Sequence, residues 1–114
     1  MLNQIILVGR LTRDITVNKS EKGVKVATIS LAVPRSFKNS EGVYDTDFID
    51  CVAFESVAEN TSDYCGKGDI VGVRGRVQSR IVSDNEKKEN IVEIIAEKVT
   101  FLSSHTKEEK EESK

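Results

Sequence analysis

Phe48 and Phe54 stand six residues apart in VYDTDFIDCVAFESVAENTSDY, residues 43–64, within a stretch that alternates like a strand. An even spacing turns both rings to one face, because successive strand side chains point to opposite sides. Just upstream lies a basic arm, VPRSFK, which carries Arg35, Phe37 and Lys38. Two rings on one strand face beside cations are what the stacking of unpaired bases and the holding of their phosphates require. Phe is also a common core residue, so the competing assignment buries Phe48 and Phe54. Phe37 sits between Arg35 and Lys38 in a polar segment with no evident core role, and is expected to be exposed and to stack.

Other chemistries find no residues to carry them. The chain has no G-x-S-x-G, no P-loop and no paired metal ligands. Its one histidine, His105, lies in the polar terminal segment. No enzyme, cofactor or zinc site is expected. Cys51 and Cys65 lack CxxC spacing and are expected to be reduced and structural, Cys51 on the strand face opposite Phe48. Net charge is −2, which argues weakly against nucleic acid. The signs are segregated, however. Arg10, Arg13, Arg35, Lys38, Arg74, Arg76 and Arg80 fall in or beside predicted strands, whereas many acids gather in loops and in the terminal segment. An acidic chain with a basic face is compatible with that distribution.

The elements that must position these residues read as follows. Residues 2–11 form a strand with a dense apolar centre, and Gly9 within it suggests a bend. Residues 18–23, NKSEKG, are a turn. Residues 24–33 are rich in β-branched side chains and read as a second strand that stops at Pro34, the single proline. A polar excursion over 35–43 turns at Ser40, Glu41 and Gly42, and a third strand covers 44–54. Residues 55–65 shift to a helical period, with Val57, Ala58, Tyr64 and Cys65 on one face and Gly66 as the stop. Residues 69–82 alternate again, with Val71, Val73, Val77 and Ile81 on one face and Arg74, Arg76, Gln78 and Arg80 on the other; Gly72 and Gly75 suggest curvature. A charged hairpin loop, 83–90, leads to a fifth strand over 91–102. The low-complexity remainder, 104–114, is expected to be disordered, leaving one domain over 1–103. Three strands, a short helix and two strands give an all-β, five-stranded OB-fold barrel, an architecture that binds oligonucleotides or oligosaccharides. No apolar run is long enough to span a membrane, and the start of the chain lacks the pattern of a signal peptide, so a cytoplasmic protein is expected.

Five fragments in register, MLNQIILVGRLTRD, VATISLAVPRSF, TDFIDCVAF, AENTSDYCGKGD and VRGRVQSR, resemble the bacterial single-stranded DNA-binding protein family. The similarity runs from Met1 to about Leu102. The resemblance implies a homotetramer of OB-folds that wraps single-stranded DNA in replication, recombination, repair or DNA uptake, without sequence preference and without enzymatic activity. It implies stacking at Phe37, Phe48 and Phe54, and a basic contact at Lys67 in the helix exit. The family's fourth aromatic position is matched by Val82, which cannot stack. Gly9, Asp14 and Gly75 match structural positions. The terminal HTKEEKEESK is acidic but has no apolar anchor, which implies weak or absent recruitment of replication and repair proteins by the tail. Arg74, Arg76 and Arg80 are suited to phosphates, although a solvated charged face would look the same. Tyr64 is expected on the apolar face of the helix, and Tyr44 is a further ring near the arm without a fixed role. The alternatives are a protein-interaction OB module of the primosome-accessory type, or an RNA-binding OB-fold with a denser aromatic motif.

Overall fold

The computed structural model describes residues 1–104. Its elements are β1 (Ile5–Leu11), β2 (Val17–Lys19), β3 (Lys25–Lys38), β4 (Tyr44–Phe54), α1 (Glu55–Tyr64), β5 (Ile70–Asp84) and β6 (Lys87–Ser103). The sheet runs β1-β5-β6-β4-β3-β2, and β1 also pairs with β3, which closes the barrel. Neighbours are antiparallel except β4 and β6, which run parallel through Cys51–Ile94 and Val52–Ile95. The all-β barrel with one short helix is as expected. The three-residue β2 is an addition at the sheet edge, and it renumbers the later strands.

Alternation supplies the core. Ile29 and Leu31 of β3, Cys51 and Ala53 of β4, and Val71 and Val73 of β5 point inward and are fully buried, together with Leu11 from β1. The Cys51 thiol is pushed up to about 11, first by burial and then by the nearby Asp50 charge, so it stays protonated at neutral pH. Two glycines let strands approach closely. A Cβ at Gly75 would lie 2.0 Å from the Ile95 carbonyl oxygen, at the point where the β5–β6 register shifts, and one at Gly9 would lie 2.8 Å from the Ala32 oxygen at the β1–β3 closure.

The helix caps one end. Ala58 and Thr61 are its buried residues, and the Thr61 hydroxyl donates to the Val57 carbonyl. Tyr64 is exposed, contrary to the face expected for it, because the helix lies on the barrel through its small residues. The helix ends at Tyr64 with Cys65 already extended, and the left-handed turn falls at Gly68 (φ 92) rather than Gly66. Gly66 serves instead by donating its N–H to Asp69. Asp14, expected to be structural, accepts the Lys67 N–H at 2.8 Å.

Two hairpins are longer than the sequence suggested. Strand β3 does not stop at Pro34, which pairs with Thr46, and the ladder resumes past a bulge at Lys38–Tyr44. The proline is tolerated because Ser30 aims its carbonyl at Thr12 beyond β1, and alternation puts the Pro34 nitrogen on that same side, past the last β1 partner Ala32. Residues 83–90 are likewise not an open loop. Strands β5 and β6 pair out to Asp84–Lys87 and turn through Asn85, which takes φ 54. On this arm Ile81 is exposed, because the strand has left the barrel and none of the described residues covers its inner face there. The terminal segment expected to be disordered lies outside the described residues from 105 onward.

Candidate nucleic-acid interface

The register fixes which side chains share the outer face of the barrel. On β4 the outward residues are Tyr44, Thr46, Phe48, Asp50, Val52 and Phe54; the inward ones include Ile49, Cys51 and Ala53. Cross-strand partners extend these positions into rows. Phe54 lies beside Val26, Asp50 beside Ser30, Phe48 beside Ala32, and Thr46 beside Pro34. The row between Phe54 and Asp50 crosses four strands: Thr28, Val52, Ile95 and Arg76. The face is therefore a mostly small or apolar floor from which two rings stand.

Both rings are in solvent. Phe48 is 77% exposed and Phe54 39%, while Phe37, on the bulged part of β3, is 64% exposed. The alternative that buries Phe48 and Phe54 fails, because the even positions of β4 point away from the core. Phe54 is also the residue before α1, and Glu55 turns the chain sharply there with φ 52 while its carboxylate accepts the Lys25 N–H. That junction fixes the Phe54 backbone between two rigid elements.

The cations are distributed unevenly. Arg76 and Arg80 share the ring face with Gln78, but each has an acid partner. Arg80 meets Glu93 at 3.2 Å, and Arg76 lies 3.7 Å from Glu97 and hydrogen-bonds Gln78. The Glu93 carboxylate is held below its usual range, first by the hydrogen bond from Gln78 and further by Arg80, against the opposing effect of its partial burial. Arg74 is in the row Ile6–Arg74–Lys98, beside a second cation. Val82 follows Arg80 on the same face, so the position matched to a fourth ring does face the others without one. Lys67 stands in the helix-exit turn, outside these rows.

Arg35 is on the opposite face of the β3–β4 arm. It grips Asp47 through Nε and Nη2, at 3.1 and 2.9 Å, and lies 3.8 Å from Asp45. The hydrogen bond, more than bare charge attraction, raises Arg35 above its ordinary value and lowers Asp47. Phe37 lies within the bulge between Pro34 and Lys38, and Lys38 re-enters the ladder opposite Tyr44. Sequence reasoning passed over Arg13 as a site residue. Its Nε donates to the Ser30 hydroxyl at 3.0 Å, which anchors a guanidinium on the ring face between the Phe48 and Phe54 rows. No local signal marks it, since the β1–β3 closure alone brings it there. Asp50, exposed in the same interval, was also missed, although its parity with Phe48 was readable.

Residues 2–102 match the model of the Single-strand binding protein family. Single-stranded DNA-binding protein 3 of Listeria innocua serovar 6a is 47% identical over 105 residues, which are 91% of this chain and 66% of that protein. Single-stranded DNA-binding protein B of Bacillus subtilis (strain 168) is 43% identical over 110 residues, 95% of this chain and 96% of its own length. The wild-type single-stranded DNA binding protein from Thermus aquaticus shares the fold, with a TM-score of 0.78 at 24% identity, over 92% of this chain and 52% of that one. The chain thus spans just under two thirds of the Listeria relative and nearly all of the Bacillus one. A family model matched across almost the whole described barrel, with relatives this similar, means that the chain belongs to the single-strand binding protein family.

Proposed function

We propose that this protein binds single-stranded DNA without sequence specificity, by stacking bases on Phe37, Phe48 and Phe54, and that it protects the strand during replication, recombination, repair or uptake. The observation that carries this is the exposure of Phe48 and Phe54 on one open sheet face. Exposed rings there have no packing role, and a duplex would keep its bases from reaching them. Each stacked base contributes about 1–3 kcal/mol. Lys38, Lys67, Arg13 and Arg74 supply phosphate contacts directly, while Arg35, Arg76 and Arg80 do so only on leaving a carboxylate. The task is binding, in the cytoplasm, and a ring-and-cation face needs no catalysed step. Anisotropy of a labelled oligo(dT), with duplex DNA and RNA as competitors, tests it. Oligo(dT) should bind, duplex should compete poorly, and Phe48→Ala should weaken binding while leaving the circular dichroism spectrum unchanged. Equal competition by duplex, or loss of fold in Phe48→Ala, would sink the assignment.

The working unit is a homotetramer. Ile6 and Val8 point outward and are exposed, with Leu102 close to Gly72 in the same area. Pairing of β1 with β3 covers only Arg10 and Leu11, so the preceding residues keep one open edge for a second β1. Light scattering of the parent should give four times 12.7 kDa, and Ile6→Glu should reduce it. A parent mass of one chain at micromolar concentration would refute the tetramer.

A further inference from the structure

Tyr44 lies four residues before Phe48 on β4, and the even spacing places its ring on the face that carries Phe48 and Phe54. The ring is 54% exposed. Lys38 is its cross-strand partner in the last rung of the β3–β4 ladder, with Nζ 5.7 Å from the ring centroid. An aromatic face with an ammonium beside it offers a base and its phosphate adjacent partners.

The arm that presents this ring is stiff. Asn39 accepts the N–H groups of Glu41 and Val43 through its side-chain oxygen, at 2.8 and 3.0 Å, and its amide donates to Asp45. Its backbone N–H donates to the Val43 carbonyl and its carbonyl accepts from Gly42, whose φ of 79 closes the turn. On the back of the arm Arg35 holds Asp45 and Asp47, which keeps those two carboxylates away from the ring face. A ring held this way loses little freedom when a base stacks on it.

We propose that Tyr44 is a base-stacking platform, with Lys38 on the neighbouring phosphate, and that it replaces the ring absent at Val82. This rests on the single-stranded DNA reading above. The bound strand then follows β4 outward from Phe54 past Phe48 to Tyr44, a track of about 34 Å for ten strand residues.

The chain has no tryptophan and only two tyrosines, so its intrinsic emission is that of Tyr44 and Tyr64. Tyr64 is exposed on α1, and Tyr64→Phe leaves Tyr44 as the single emitter. Titrated with oligo(dT), this variant should lose emission and saturate at the same oligonucleotide concentration as the anisotropy of a labelled strand. Tyr44→Leu keeps an apolar strand residue without a π face, and should raise Kd at least fivefold. Unchanged Tyr44 emission at saturation, or a Tyr44→Leu protein that binds like the parent, overturns the proposal while leaving Phe37, Phe48 and Phe54 in place. Absence of any anisotropy change with the parent protein overturns the underlying DNA reading, and this platform with it.

Discussion

The two long hairpins of this barrel, β3–β4 and β5–β6, share one outer face but equip it in opposite ways. The β3–β4 arm and the strand behind it carry rings outward and place their arginine–aspartate pairs on the back. The β5–β6 arm carries arginines outward, paired with Glu93 and Glu97, and has Val82 at the position matched to a fourth ring. A sheet can therefore look basic in sequence and be nearly neutral in space. In the binding mode proposed above, the aromatic hairpin dominates affinity, and the charged hairpin is mainly a scaffold whose cations become available when their acids let go.

Contrasting substitutions should expose the difference most strongly. Phe54→Ala should weaken oligo(dT) binding by about 1–3 kcal/mol, whereas Arg80→Ala, which removes an already paired charge, should cost well under about 1 kcal/mol. Parity of the two losses in anisotropy titrations would break the comparison. Giving the charged arm a ring should narrow the gap. Val82→Tyr places an aromatic on the ring face and should tighten binding by about 1 kcal/mol or more, read as a lower Kd and a longer minimal oligonucleotide. No gain would mean that the strand never reaches this arm.

A smaller effect is expected from freeing a cation. Glu93→Gln leaves Arg80 without its carboxylate, and the slope of log K against log salt should steepen by up to about 0.7 for one added phosphate contact. An unchanged slope would show that Arg80 is out of reach of the DNA. The smallest expected effect is on stability in acid. The folded-state values of both Asp47 and Glu93 are depressed, so the unfolded chain takes up their protons first as pH falls. Their contributions are complete above the ordinary carboxylate range and are lost as pH falls through the folded values. Melting temperature should therefore drop below that range, and Asp47→Asn should flatten only part of the drop. A melting profile flat into strong acid would remove both pairs from the account.

The strand period made much of this legible in advance. Phe48 and Phe54 share a face and Cys51 opposes them because strand geometry allows nothing else, and inward Val71 and Val73 follow from the same rule. The alternation of β5 also put Arg76, Arg80 and Gln78 together. It failed for Ile81, because alternation says which way a side chain points and not whether anything lies there to cover it.

Local periodicity and residue identity sufficed for the order of the helix and the long strands, though not for β2, and for the shared face of the rings and the absence of a ring at Val82. Tertiary structure alone decided three things. It extended β3 through Pro34, whose missing N–H falls on a side without a partner. It paired Arg35, Arg76 and Arg80 with acids that lie 12, 21 and 13 residues away. It laid Arg13 across Ser30 between two rings. Each of these depends on cross-strand register, which a single strand's pattern does not encode, because the energy of a charge is set by what stands opposite it.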